Sequence, residues 1–327
     1  MQARRAVALA AAVLALLLAI LFSLAVGARA IPPSAVLDAL LNGGHSDAAE
    51  VVRGLRVPRT LIGLMVGAGL ALAGTVLQGI TRNPIADPGI LGISQGASVG
   101  VVLAIAFAGI HTLTGYVWFA FAGAAIASVA VYAIASSGRG GATPVKLALG
   151  GAAINALLVS VTTAVLTTKA SALDEFRFWQ VGSLAGRDAE IVGQVWPFLL
   201  VGAVLVLSVA RGLDALALVA QGLGQRVATV RIVGGLGATV LTGVGVAAAG
   251  PLAFIGLAVP HIARAIVGPA HRWVLPLAAL LGPTMLLVSD TVGRVLFPPS
   301  EVPAGVMTAL IGVPFLVGLV RRKAVPA

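Results

Sequence analysis

Arg56-Val57-Pro58-Arg59-Thr60 is followed by an uncharged run from Leu61 to Ile80 and then by Arg82-Asn83-Pro84-Ile85-Ala86-Asp87-Pro88-Gly89. The run is twenty residues long. At 1.5 Å rise per residue it covers the roughly 30 Å hydrocarbon core of a bilayer. The stretch therefore reads as one membrane crossing between two charged, proline-marked loops. Gly63 and Gly67 stand one turn apart, with Gly69, Ala71, Ala73 and Gly74 beyond. Small residues in such a row let a neighbouring helix approach at backbone range, so this span is built to touch protein and not only lipid.

The rest of the chain has the same character. Of 327 residues, 59% are hydrophobic and 10% charged, against about a quarter charged in an ordinary soluble domain. Such a chain cannot cover itself with polar surface, and it reads as an all-α polytopic membrane protein. The absence of cysteine excludes a disulfide framework, thiolate metal sites and a cysteine nucleophile. A net charge of +10 in a soluble protein would point to nucleic acid. Here the placement of the charges along the chain explains it, and no nucleic-acid partner is expected.

Uncharged runs bounded by Arg, Asp, Pro or Gly predict ten spans, near 6–27, 60–80, 90–110, 115–136, 145–168, 191–210, 230–249, 252–268, 273–296 and 303–320, within one membrane domain, 1–327. Ten crossings leave both termini on one side. The loops on that side collect thirteen of the 21 Lys and Arg, among them Arg82, Lys146, Arg211 and Arg321, with only Asp87 and Asp214 for acids. The opposite loops hold eight cations and eight acids. The cation-rich side is expected to be cytoplasmic, with N and C termini inside. The first run has a rival reading as a cleaved signal peptide, because Arg4 and Arg5 precede it and Ala28-Arg29-Ala30 follows. Its length, beyond the usual apolar core of roughly 7–15 residues, and the even span count favour a crossing.

Two spans begin in Gly/Pro-rich sequence, Pro88-Gly89-Ile90-Leu91-Gly92 and Gly250-Pro251-Leu252-Ala253-Phe254-Ile255-Gly256, where short or broken helices are expected. Interruptions at corresponding places suggest an internal repeat. Segment 31–59 is expected outside, with an amphipathic stretch from Ala35 to Leu41 on the membrane surface. Segment 169–190 mixes charges with Phe176, Phe178 and Trp179, which suits either a short helix at a pore mouth or an aromatic belt.

Several chemistries are missing. None of Lys146, Lys169 and Lys323 is followed by Ser or Thr, so there is no phosphate-binding loop of the Walker type. His45, His111, His261 and His271 show no ligand spacing, and no metal site is expected. No nucleophile elbow or acid pair falls within a span. An ion-coupled carrier would need titratable groups in mid-membrane, and only Asp290 comes close. It stands four residues before Arg294, where an i,i+4 ion pair would satisfy it. The chain thus reads as a glycine-rich conduit without an energy-harvesting group, whose energy arrives from a partner.

The motifs Arg56-Val57-Pro58-Arg59-Thr60-Leu61, Gly67-Ala68-Gly69-Leu70-Ala71-Leu72-Ala73-Gly74, Arg82-Asn83-Pro84-Ile85-Ala86-Asp87-Pro88, Gly182-Ser183-Leu184-Ala185-Gly186, Phe254-Ile255-Gly256-Leu257-Ala258-Val259-Pro260-His261-Ile262-Ala263-Arg264 and Glu301-Val302-Pro303-Ala304-Gly305 occur in one order along the chain. With them the chain resembles, nearly end to end, the FecCD-type permease subunits of ATP-binding-cassette importers for iron-siderophore, haem and cobalamin. The resemblance implies a type II importer permease fold of about ten helices and no catalysis by this chain. It implies pairing with a second permease subunit, identical or sister, two cytoplasmic ATPase subunits that carry ATP and Mg, and an extracytoplasmic substrate-binding protein. The cargo it implies is a chelated metal, iron-siderophore before cobalamin or haem. An ion-coupled secondary carrier is the alternative from another class.

The resemblance also implies residue roles. Arg56, Arg59 and Arg294 match outward arginines that pair with acids of the binding protein; a plain anchoring role for Arg56 and Arg59 at a helix start is the alternative. Thr143, Pro144 and Val145 match the position of the cytoplasmic gate. Asn155 either faces the pathway or bonds a neighbouring helix. The inner loop 211–229, with Asp214, Leu216, Leu223, Gly224 and Arg226, occupies the place of the family's ATPase-coupling helices. Its sequence Leu218-Val219-Ala220-Gln221-Gly222-Leu223-Gly224 departs from the family's usual acidic residue and Ala-Arg pair.

Overall fold

Helix follows wherever the apolar runs are longest, and in the computed structural model the chain is helical almost throughout. The structure describes residues 2–27, 30–43, 46–137, 143–218, 227–298 and 300–324. In chain order the helices are α1 (Gln2–Ala25), α2 (Pro33–Leu41), α3 (Asp47–Glu50), α4 (Val57–Thr81), α5 (Ile93–Ala108), α6 (Leu113–Ser136) and α7 (Pro144–Thr168). They continue as α8 (Ala170–Gln180), α9 (Ala189–Ser208), α10 (Ala210–Leu218), α11 (Val227–Ala249), α12 (Ile255–Val267), α13 (His271–Leu296) and α14 (Ala304–Ala324). Among the described residues, seven helical stretches are long and apolar enough to cross a bilayer, and α5, α12 and Ala304–Pro314 of α14 are shorter apolar helices.

The longest of the seven runs from Asp47 to Thr81 without a break, because a π-helical turn, Val51–Arg56, joins α3 to α4. The sequence alone predicts a span that starts only at Thr60, with Arg53, Arg56 and Arg59 in an outer loop. The helix continues because Arg56 has a partner for its charge: its Nη1 donates to the carbonyl of Leu24 at 2.7 Å. That carbonyl is one of the last four of α1, which have no partner within their own helix.

Helix α4 is the central post, packed by α9, α11, α12 and α13. In lipid the apolar effect gives helices little reason to associate, so close steric fit must do it. The glycines supply that fit. A Cβ on Gly67 would run into the backbone of Gly282 and Pro283 on α13, and one on Gly74 into the carbonyl of Gly256 at the start of α12. The same device joins α5 to α6, where Gly96 and Gly123 face each other's carbonyl oxygens. The first apolar run belongs to this bundle, with α1 lying against α13.

Both expected interruptions are present. A 3-10 turn, Pro88–Leu91, precedes α5, and the non-helical segment from Gly250 to Phe254 precedes α12. Each ends on a residue in the left-handed region, Gly92 at φ 73° and Phe254 at φ 71°. Such a φ costs a non-glycine residue about 1–2 kcal/mol, so the surroundings of Phe254 must hold it there. They do so by contact, because Gly312 of α14 lies directly against the Phe254 side chain. The two breaks meet: Gln78 of α4 donates to the carbonyls of Gly256 and Leu257, and Gly256 packs on Pro88.

Candidate functional site

Helix α13, about 39 Å long for its 26 residues, carries a polar cluster towards each end. At its C-terminal end Asp290, 1% exposed, accepts from Arg59 twice, Nε to Oδ2 at 2.9 Å and Nη2 to Oδ1 at 2.8 Å. Arg294, one turn on, reaches the same carboxylate at 3.1 Å, the ion pair its spacing predicted. Arg294 is 3% exposed and also donates to the carbonyls of Ser23 and Val26. Together with Arg56 it thus covers the carbonyl end of α1, where a helix favours cations. Ser23 and Thr60 share a buried hydrogen bond at 2.8 Å beside them. The last member, Glu301, accepts from Arg59 Nη1 at 2.8 Å and is 33% exposed in its side chain.

The structure therefore brings Arg56, Arg59 and Arg294 into one network and places two of them, Arg56 and Arg294, below the surface. Only Arg59, through Glu301, reaches the rim. Asp290, the one carboxylate within a predicted span, is held by two guanidinium groups and is not a free proton carrier.

At the N-terminal end of α13, Asp214 of α10 accepts from the backbone N–H of His271 at 2.6 Å and meets its ring Nδ1 at 2.9 Å. A carboxylate here caps the start of α13 and sits at the positive end of its dipole. Arg82, just after α4, donates to the carbonyl of Leu216 at 2.5 Å. Leu216 itself is buried, in the cluster formed by α4, α9, α11 and α13. The residues expected as a loop from 211 are helical through Leu218, because this amphipathic turn has an apolar groove to fill. Leu223, Gly224 and Arg226 lie outside the described residues.

Thr143 caps α7, its hydroxyl accepting from Lys146 N at 3.3 Å, and Pro144 takes the first helical position, where its missing N–H costs nothing. Val145 is 67% exposed. A cleft of about 250 Å³ lies beside it, lined by Leu77, Thr81, Asn83, Asp87, Val145 and Ala148. Burial pushes the Asp87 carboxyl above the usual range, against the hydrogen bond it accepts from Gly89 N at 2.8 Å. Asn155 donates to the carbonyl of Gly89 at 3.2 Å, so α7 is tied to the first helix break.

On the Arg59 side, α8 is fastened by its own cluster. Glu175 meets His111 Nδ1 at 2.9 and 3.0 Å and accepts from the Tyr116 hydroxyl at 2.8 Å. The hydrogen bond from His111 is the main cause that draws the Glu175 carboxyl below its ordinary range. Phe176 is fully buried, whereas Phe178 on the opposite face is 70% exposed. The next turn hides Arg187, whose pKa burial lowers to about 10 despite neighbouring Asp188. Its Nε donates to the carbonyl of Ser183 at 3.2 Å.

The comparisons with known proteins fit this arrangement. The model of the FecCD transport family matches residues 15–322. The chain belongs to the FecCD transport family. It is 43% identical over 323 residues to the ferric enterobactin transport system permease protein FepD of Escherichia coli (strain K12), covering 98% of this chain and 96% of that one. It is 40% identical over 292 residues to the cobalamin import system permease protein BtuC of Halobacterium salinarum, covering 88% and 78%. Among solved structures it superposes on a metal-chelate type ABC transporter in an inward-facing conformation, with a TM-score of 0.83, 30% identity, and 96% and 98% of the two chains covered. As a FecCD permease the chain is a multi-pass membrane transport subunit and not an enzyme, and it works with a separate ATPase and a binding protein.

Within this FecCD chain, sequence reasoning missed Gln78, Glu175 and His271 as polar fasteners. Gln78 is the least expected, a buried amide on a glycine-lined face that also accepts from Arg264. Its signal was available, since it is the one polar amide in an otherwise apolar run, Leu61 to Ile80.

Proposed function

We propose that this permease imports a ferric siderophore across the cell membrane, receiving it from an extracytoplasmic binding protein at the Arg59 end and releasing it at the Asp214 end. The termini then lie in the cytoplasm, which agrees with the excess of Lys and Arg in the loops on that side. Two permease chains, identical or sister, enclose the pathway, and two ATPase subunits holding ATP and Mg dock on the region that includes α10. Siderophore and ferric-citrate permeases among the relatives support an iron chelate over cobalamin as cargo.

The observation that carries this reading is the joining of the two ends by α13, with α10 fastened at one and the arginine network at the other. Movement of α10 by the ATPase would be passed to the far end by one helix and its partner α4. Thr143 and Val145 then gate the cytoplasmic mouth next to the cleft at Asp87, and Asn155 holds the gate helix to the first break. Nucleotide drives the cycle through its different affinity for the two permease conformations.

The test is purification of the tagged permease from its own cells in nanodiscs, with partners identified by mass spectrometry, followed by competition for iron-55 uptake. An ATPase, a binding protein and uptake displaced by unlabelled ferric catecholate or hydroxamate are expected. Displacement by cobalamin alone would replace the cargo assignment.

A further inference from the structure

The network at the Arg59 end is unevenly built. Arg59 and Arg294 meet two carboxylates, Asp290 and Glu301, in ion pairs, while Arg56 is bonded to the carbonyl of Leu24. The two carboxylates differ in kind. Asp290 is sealed among α1, α4 and α13 and takes three bonds from arginines. Glu301 sits in the connection between α13 and α14, one-third exposed, and among the described residues its one ion pair is with Arg59 Nη1. Breaking a buried pair leaves an uncompensated charge and is expensive. Exchanging an exposed partner on a guanidinium that keeps its second carboxylate is nearly free.

We infer that Glu301 is an internal stand-in for a partner's carboxylate: it occupies the outward face of Arg59 in the undocked permease and is displaced when an acidic side chain of the binding protein takes that position. This rests on the assignment of the Arg59 end as the docking face. Asp290 keeps Arg59 aimed outward throughout, so the exchange requires no movement of α4 or α13. It also selects the partner by chemistry. A carboxylate restores the charge-assisted bond that Glu301 gives up and a neutral surface does not, so an acidic partner is preferred.

Glu301→Gln keeps the size of the side chain and removes the competing charge. Affinity of the co-purified binding protein for the nanodisc complex would be read at about 50 and 300 mM salt, together with labelling of Arg59 by p-hydroxyphenylglyoxal. E301Q is expected to tighten docking about three- to tenfold, to steepen its salt dependence, and to speed labelling of Arg59. R59A should abolish the gain, so that the double variant docks like R59A. If R59A weakens docking while E301Q leaves it unchanged or weakened, the stand-in is overturned and the docking face stands. If R59A has no effect either, the docking face itself is wrong.

Discussion

Asp290 grips Arg59 with both carboxylate oxygens, across 231 residues of sequence, at 2.8 and 2.9 Å. The same carboxylate also holds Arg294, so its removal would leave two guanidinium groups buried with only the rim carboxylate of Glu301 for compensation. Removing Arg59 instead leaves Asp290 with Arg294. D290A is therefore expected to cost roughly 3–5 kcal/mol and R59A clearly less. Thermal unfolding of the two variants in one detergent checks the order, and equal losses would contradict it.

The closeness of α4 and α12 makes a second prediction. Ala at Gly74 would press its methyl into the Gly256 carbonyl, where backbone on both sides leaves nothing to yield. Ala at Gly235 of α11 meets open space and should stabilise that helix by up to about 1 kcal/mol. Folded yield after size-exclusion chromatography should collapse for G74A and hold for G235A. A well-folded G74A would mean the helices do not pack this closely.

Asp214 caps α13 from α10, and D214A removes that cap. A cost of about 1 kcal/mol in stability is expected from the lost backbone bond. The larger effect should be on transport: ATP hydrolysis by the complex should continue while uptake per ATP falls, because α10 no longer grips His271. Unchanged coupling with the expected loss of stability would limit Asp214 to a structural cap.

The Glu175 cluster gives a pH dependence. Its carboxyl is held below its ordinary value of about 4.5, chiefly by the hydrogen bond with His111. Such a group contributes stability that is present above its unfolded pKa and is lost as pH falls through the lower folded value. The fastening of α8 to α6 should loosen only below about pH 4.5, and E175Q should remove that component of the acid transition. Hydrogen exchange of residues 170–180 between pH 6 and pH 3.5 provides the reading.

Much of the architecture was legible because a bilayer demands long uncharged runs, and those runs announce themselves. The Asp290–Arg294 pair was legible as well, since a spacing of four is one helical turn. The third member, Arg59, was not, because nothing local connects residues 59 and 290. Charge also misled: Arg53 and Arg56 read as loop residues, yet the helix passes through them because Arg56 finds the carbonyl end of α1. For Phe176 and Phe178 the sequence allowed either a pore-mouth helix or an aromatic belt, and only packing separates the buried Phe176 from the exposed Phe178. From the last residue of α10 onward the sequence departs from the family pattern, and the Asp214–His271 contact spans 57 residues that no periodicity links.

A passive conduit has to be worked by nucleotide-consuming partners. Iron-55 siderophore uptake into proteoliposomes tests it most directly, comparing the permease alone with the permease, its ATPase and its binding protein together. Uptake that requires all components and ATP, and that persists when ionophores collapse every ion gradient, is the predicted result. Concentrative uptake by the permease alone, abolished by ionophores and indifferent to ATP, would contradict the account.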